Sequence, residues 1–456
     1  MSRPKQAAQN RRGKYAVAEL FCGCGGFSHG FEMTGRFRVV FGNDVKQFAL
    51  HTFCQNHTHD GDAPIVFRQD IRTVSDNEVA RQLEAKGVGS LDCLIGGPPC
   101  QGFSQMRRSG SRRGSKIVRF GGYNKLDQDP RNDLVLRFLE VAAVLNPKVI
   151  VIENVPQFLS HYHDGERGGI AQEVEDILEQ LGYRVSCGIL NAADFGVPQL
   201  RMRAVVMASR VGNITLPVAS HSDPQELTMW KAKPWVTVRD AIGDLPPDPP
   251  LHDTLGGQSL KNYLGAASTA YAKLMRTSDA FPFNHITRNY QQQIVQIVRQ
   301  MRPGETWDEA SARMQRRFEV ALAKAVGQGE IVNKARLRLE ADGVILPVFY
   351  KRYYWSAYTR LDWNCPSLTI TANSNFLGSG RFTHPIRNRG ITMREAARLQ
   401  SFDDAFTFYT GENPKKLTER IGVGMDMIGE AVPPLLAKAI AETIAVHLDE
   451  HDKESL

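Results

Sequence analysis

Six short apolar runs limit what the first 250 residues can fold into. They are YAVAELF (15–21), FRVVFG (37–42), SLDCLIGG (90–97), PKVIVIEN (147–154), YRVSCGIL (183–190) and RAVVMAS (203–209). Their Val- and Ile-rich composition is that of strands buried on both faces of a parallel sheet. Helical patterns such as LVLRFLEVAAVL (134–145) and IAQEVEDILEQLG (170–182) lie between them. Strand alternating with helix predicts an α/β fold with a doubly wound, mostly parallel sheet. Such sheets bind ligands at the carboxyl ends of their strands.

The first run leads into ELFCGCGGFSHGFE, with glycines at 23, 25 and 26. A glycine-rich turn from a first strand into a helix lets a ligand come close to the backbone. Ser28 stands where a third glycine of GxGxxG would be, which counts against a dinucleotide site. Asp44 follows the second strand, 21 residues after Gly23, where an acid can accept from ribose hydroxyls. Asp70 follows a third short strand, IVF, and is placed for an adenine amino group. A nucleoside ligand and a plain tight turn with incidental acids are both open readings of this end.

A second set of residues carries chemistry. GGPPCQGFS puts Cys100 just past the end of a strand. Nearby backbone N–H groups and arginines lower a thiol pKa and make thiolate available. Glu153 ends another strand, so a nucleophile and a carboxyl acid open on one sheet edge. In QLRMR, Arg201 and Arg203 alternate and are expected on one strand face, as an anchor for phosphate or a carbonyl oxygen. From Arg107 to Arg119 run six basic residues and no acid; Arg107, Arg108, Arg112 and Arg113 head that group. Taken singly, each has a plainer counterpart: a buried cysteine, a helix-capping glutamate, a solvated basic loop.

Seven cysteines in 456 residues make an odd count, poor for a disulfide framework and suited to a reducing cytoplasm. Cys22 and Cys24 have no second pair at zinc spacing, so no metal is expected. No apolar run of about 18 residues stands out, so no membrane span is expected. The net charge of +7 matters less than its clustering. Residues 1–13 are basic and read as a disordered arm. A boundary is expected near 250, where two proline pairs and a glycine pair punctuate VRDAIGDLPPDPPLHDTLGG. Residues 258–350 are polar with a weak strand pattern. Pro433 and Pro434 open a C-terminal helix.

The sequence resembles the bacterial-type DNA (cytosine-5) methyltransferases. ELFCGCGGF, GGPPCQGFS, IENV, NAADFGVPQLRMR, PSLTITA, REAARLQSF and GEAVPPLLA occur in family order across nearly the whole chain. PPCQGFS followed by ENV and QxRxR is a highly specific combination; the glycine turn alone is not. The resemblance implies a Rossmann-like class I methyltransferase domain over 14–250, a smaller target-recognition domain over 251–370, and a segment 371–456 returning to the catalytic domain. It implies an S-adenosyl-L-methionine site lined by Phe21, Gly23, Gly25, Asp44, Asp70, Ile71 and Pro99. Cys100 is implied as nucleophile, Glu153 as the group holding cytosine, and Arg203 with Arg201 as contacts to cytosine and phosphate. Glu430 departs from the family's GNAVPP asparagine and is not assigned to the cofactor.

The chemistry implied has four steps. Cys100 adds to C6, Glu153 donates to N3, C5 takes the methyl group, and the C5 proton and Cys100 then depart. A duplex base must be flipped out first. The basic glycine-rich loop after Cys100 is then expected to close on the backbone of double-stranded DNA. A monomeric cytoplasmic enzyme associated with the nucleoid, functionally paired with a restriction endonuclease, is the setting expected. The rivals are a tRNA cytosine-5 methyltransferase and an inactive DNA-binding homologue. Tyr353, Tyr354 and Trp355 fit the core or a DNA contact, core being the commoner case.

Overall fold

In the computed structural model the described residues are 14–99, 133–160, 169–225, 232–251, 263–276, 282–372, 376–409 and 417–454, with a few isolated positions between them. The chain divides into two compact units. The first comprises residues up to Trp235 with Phe406–Tyr409 and Ala431–Leu456, and the second Val236–Ala405 with Thr410–Glu430.

The first unit begins with β1 (Tyr15–Leu20), α1 (Gly26–Met33), β2 (Phe37–Asn43), α2 (Gln47–His57), β3 (Ile65–Phe67), α3 (Asp76–Ala85) and β4 (Cys93–Gly96). It continues with α4 (Asp133–Leu145), β5 (Val149–Asn154), α5 (Gly169–Gln180), β6 (Arg184–Asn191) and β7 (Met202–Ser209). The seven strands form one sheet in the order β6-β7-β5-β4-β1-β2-β3. Strands β3, β2, β1, β4 and β5 pair in parallel, while β7 runs antiparallel to both β5 and β6. Strand order reverses between β1 and β4, the position where doubly wound sheets bind their ligands.

Two departures from the sequence expectation follow. β7 reads as a buried parallel strand but is antiparallel, so the sheet is mixed. β6 reads as buried but lies at the sheet edge, with most of its residues half-buried or exposed. The interior strands are apolar because helices cover both their faces: Val149, Ile150, Val151 and Ile152 of β5 are all fully buried.

The second unit is built from α6 (Val238–Ile242), α7 (Ala270–Met275), α8 (Gln292–Gln300), α9 (Trp307–Gly327), α10 (Val332–Ala341), α11 (Met393–Leu399) and α12 (Leu417–Glu430). No described strand in this unit exceeds two residues. Thr237, Thr306 and Thr392 cap α6, α9 and α11, each paired with an acid three residues on in a capping box.

Buried arginines tie these helices together. Arg398 donates to Asp404 (2.6 and 2.7 Å), to Asp244 (3.1 Å) and to the Ala241 carbonyl (3.0 Å). Arg389 grips both Glu395 oxygens (2.7 and 2.8 Å). Arg360 donates to the carbonyls of Val298, Met301, His384 and Arg387.

The two compact units divide at 235/236, with 371–405 and 410–430 in the second. The physical reason is in the proline stretch itself. Pro246 and Pro247 offer their carbonyls to His285 (2.7 Å) and Arg389 (2.8 Å), so the stretch lies inside this unit.

Arg420–Lys453 is long and apolar enough, by length and composition alone, to cross a membrane, a stretch the sequence reading did not single out. More than half of its most apolar window, 56%, is buried inside the protein. The helix also breaks at residues 431–433, before α13 (Pro434–Glu454). α13 packs on α1, where a Cβ on Gly30 would collide with Ala437 and the Pro434 carbonyl.

Candidate active site

The turn from β1 to α1 forms one side of the site. Phe21 (φ 56°), Gly23 (φ 52°) and Gly25 (φ 93°) are all left-handed, so the chain folds back sharply at the strand end. Gly23 N–H donates to Asp44 Oδ2 (2.9 Å), and Lys46 N–H to Asp44 Oδ1 (2.8 Å). The acid at the end of β2 is thereby fixed beside the turn, each oxygen keeping a further lone pair. Where a Cβ would stand on Gly23, no described atom lies within 4 Å. An open space bordered by left-handed backbone and a held carboxylate fits a nucleoside with ribose hydroxyls to donate.

Asp70 and Ile71 border the same edge after β3. Asp70 caps the short turn Ile71–Thr73 and takes Arg72 in a two-pronged ion pair (2.5–3.2 Å), which holds its carboxyl below the usual range. An adenine contact by Asp70 thus requires Arg72 to release it. Ile71 is buried in the core under this edge, and Pro99 is half-buried after β4.

Three polar supports of the turn escaped the sequence reading. Glu19, in the middle of an apolar strand, accepts from the Ser28 N–H (3.1 Å) and from the Ser28 hydroxyl. Burial pushes its carboxyl up to about 8, against the pull of the Ser28 bonds. His57 stands between Glu32 and the turn, with Nδ1 2.7 Å from Glu32 Oε2 and Nε2 3.3 Å from the Gly25 oxygen. Burial alone would raise Glu32, but hydrogen bonds from His57 and His59 outweigh it and bring it down to about 2. A Cβ on Gly25 would strike His57 and Phe53. The one signal for these supports is a polar residue inside an apolar pattern.

The other side of the site lies at the ends of β4 and β5. Cys100, Arg107 and Arg108 lie outside the described residues. Arg112 and Arg113 are described as backbone only, paired antiparallel with Lys116 and Ile117. The approach to Cys100 is described: Asn154 Nδ2 donates to the Pro98 carbonyl (3.3 Å), while its Oδ1 accepts from the Val155 N–H (2.9 Å). Asn154 thus ties the end of β5 to the residues leading into Cys100.

Glu153, one residue earlier, is ion-paired with Arg203, its Oε1 2.7 Å from Arg203 Nε. Its Oε2 lies 3.2 Å from where a Cβ on Gly97 would stand, so this glycine leaves room for the carboxylate. The pair forms because β5 and β7 are antiparallel, with Ala204 opposite Asn154. Arg203 therefore sits one step beyond the end of β5.

Arg201 does not share Arg203's setting. It falls in a break between Leu200 and Met202 and is 2% exposed. Its guanidinium donates to the Ala431 carbonyl (3.0 Å). Burial, and then the charge of Arg203, pull its pKa well below the arginine range. Among the contacts of Arg201 is this bond to the segment leading into α13.

A sheet ordered 3-2-1-4-5-7-6 with an antiparallel β7 and a glycine turn after β1 defines a class I methyltransferase fold. The family described as C-5 cytosine-specific DNA methylase matches residues 15–446. The chain belongs to that family, whose activity is methyl transfer to C5 of cytosine in DNA.

It is similar to the type II methyltransferase M.AgeI of Thalassovita gelatinovora, at 30% identity over 94% of this chain and 98% of the relative. It is also similar to the type II methyltransferase M.DdeI of Desulfomicrobium norvegicum, at 29% identity over 95% of this chain and 89% of the relative. Among solved structures, a prophage-encoded E. coli methyltransferase matches with a TM-score of 0.62 at 20% identity. That match covers 96% of this chain and all of the other.

Proposed function

We propose that this enzyme transfers the methyl group of S-adenosyl-L-methionine to C5 of a cytosine flipped out of double-stranded DNA, through a covalent bond from Cys100 to C6. When bound, S-adenosyl-L-methionine supplies an electrophilic methyl group, whose bond to the sulfonium sulfur would break in the transfer and leave S-adenosyl-L-homocysteine. Asp44 would hold the ribose, Asp70 the adenine amino group, and Phe21, Gly23, Gly25, Ile71 and Pro99 the remaining walls.

The chain's own residues act on the pyrimidine. The Cys100 thiolate adds to C6, and protonated Glu153 donates to N3 as the ring takes up the electron pair. C5, now enamine-like, takes the methyl group. A base removes the C5 proton, the C6–S bond breaks, and the N3 proton returns to Glu153. Arg203 orients Glu153 through Oε1, leaving Oε2 for the base. Arg201 serves as a prop rather than a contact to the reacting atoms.

The observation that carries this reading is the Glu153–Arg203 pair beside the anchored Pro98–Pro99 lead into Cys100. Arg107, Arg108, Arg112 and Arg113 are assigned to the DNA backbone. Their joint replacement by Ala should flatten the salt dependence of DNA binding by roughly 0.9 per lost phosphate contact. The relatives' names, type II methyltransferases, support a modification role beside a restriction endonuclease; a monomer acting in the cytoplasm is our reading of its setting.

Bisulfite sequencing of DNA from cells expressing the protein tests the product. A duplex carrying 5-fluorocytosine should trap the protein covalently at Cys100 when methyl donor is present. Failure to trap while methylated cytosine still forms would refute the covalent route, and RNA as the only methylated product would refute the DNA substrate.

A further inference from the structure

Five consecutive side chains of the second unit, Lys351, Arg352, Tyr353, Tyr354 and Trp355, are exposed. Tyr354 is 56% and Trp355 46% exposed, so these aromatics are not core. The backbone beneath them is nevertheless pinned. Trp307, fully buried at the start of α9, donates its N–H to the Trp355 carbonyl (2.7 Å) and its indole N–H to the Lys351 carbonyl (3.1 Å). Gln315 donates to the Phe349 carbonyl (2.8 Å), and the Tyr353 ring meets Trp307 edge-on at 4.9 Å. A backbone held this firmly, with large rings turned outward, leaves apolar faces in water that contribute little to folding.

The surroundings state what kind of occupant suits these faces. Lys351 and Arg352 adjoin the rings, and the Arg381 guanidinium lies 5.1 Å from the centre of the Trp355 ring. Between Asp342 and Asp362 the chain has no acidic residue. Flat π-faces interleaved with cations, on a segment with no acid of its own, match a polyanion that also presents apolar and hydrogen-bonding edges. That description fits nucleic acid better than a protein surface.

We infer that residues 351–355, with Arg381, form a DNA-reading surface of this enzyme, Lys351 and Arg352 holding phosphates while Tyr354 and Trp355 select sequence context around the target cytosine. This rests on double-stranded DNA being the substrate. Arg381 stacked on Trp355 fixes the ring before DNA arrives, so less side-chain freedom is lost on binding.

The test uses the full-length protein and unmethylated plasmid DNA, with methylated positions mapped by bisulfite sequencing. Binding to the same DNA is measured across salt concentrations. For Lys351→Ala/Arg352→Ala the slope of log affinity against log salt should fall by about 1.8, from about 0.9 per phosphate. For Tyr354→Ala/Trp355→Ala, kcat/KM at the wild-type context should drop roughly 5- to 150-fold. Methylation should spread to neighbouring contexts, as loss of a base contact worth about 1–3 kcal/mol predicts. Tyr354→Phe and Trp355→Phe, which keep a ring, should retain most of the selectivity.

S-adenosyl-L-methionine affinity and melting temperature should match wild type in every variant, because only exposed side chains change. Wild-type slope together with unchanged context in the alanine variants overturns the inference while leaving the substrate reading intact. Absence of methyl transfer from wild type to plasmid DNA overturns both.

Discussion

The first unit buries β1, β4 and β5 among Val, Ile and Leu, whereas the second buries Arg360, Arg389, Arg394 and Arg398 against carboxylates and carbonyls. Apolar burial has no direction, and its stabilisation is spread over many small contacts. A buried guanidinium depends on a few oriented partners, and removing one leaves an uncompensated charge. The first unit therefore has a broad base on which left-handed backbone and a crowded carboxylate can be held at the strand ends. The second adds to its own apolar core, Trp307 and Phe349 among it, a few buried cations whose partners must stay in place.

The sharpest way to break this contrast is to remove one group from each unit. Cys100→Ser should lower methyl transfer by roughly 10³-fold or more, as loss of a nucleophile does, with melting temperature and S-adenosyl-L-methionine affinity unchanged. A drop in melting temperature of several degrees would mean that the catalytic edge also carries stability.

In the second unit, Arg398→Met takes away the cation that Asp244 and Asp404 share, leaving Asp244 to Arg276 and Asp404 to Arg394 and Tyr263. It should cost about 3–5 kcal/mol in denaturant unfolding. A cost under about 1 kcal/mol would show that the network is replaceable by ordinary packing.

A smaller effect is expected at the turn. Gly25→Ala adds a left-handed penalty of roughly 1–2 kcal/mol and a collision with His57. S-adenosyl-L-methionine titration should show affinity reduced by about 5- to 30-fold, with little change in DNA affinity.

The smallest effects at any one pH separate two carboxyl and imidazole settings of opposite sign. His384 is held neutral at about 4 by burial and by the charges of Arg389, Arg387 and Arg360, against the opposing pull of Glu395. Its Nδ1 also accepts from the N–H groups of Ile386 (3.2 Å) and Arg387 (3.1 Å). Its contribution is complete above about 6.5 and is lost as pH falls toward 4. Glu19 behaves in reverse: its contribution is complete below about 4.5 and is lost as pH rises through about 8. Unfolding midpoints followed against pH should flatten on the acid side in His384→Gln and on the neutral-to-alkaline side in Glu19→Gln. Curves parallel to wild type would remove these two groups from the account.

How much could be read in advance differs between the units for the same physical reason. Parallel strands covered on both faces must be apolar throughout, so β1, β2, β4 and β5 are legible as runs, and Glu153 as the acid where one run ends. The direction of β7 is not legible, because a buried strand has the same composition whichever way it runs. The supports of the site were hidden too. Glu19 and Ser28 are close in sequence, but His57 reaches Glu32 and Gly25 from a different helix, and Asn154 reaches Pro98 across 56 residues. In the second unit, prolines that read as a domain boundary are acceptors for Arg389 and His285. An arginine in a helix such as Met393–Leu399 reads as surface until its carboxylate partners are known.

The meeting of Glu153 and Arg203 at the ends of oppositely running strands also limits how such a gene can drift. Inserting one codon within β7 would reverse the facing of every side chain on one side of the insertion. Either the core residues or the arginine would then point the wrong way. Descendants of this sequence can lengthen the surface connections freely, but the reading frame of that strand against its neighbour is effectively frozen for as long as catalysis is under selection.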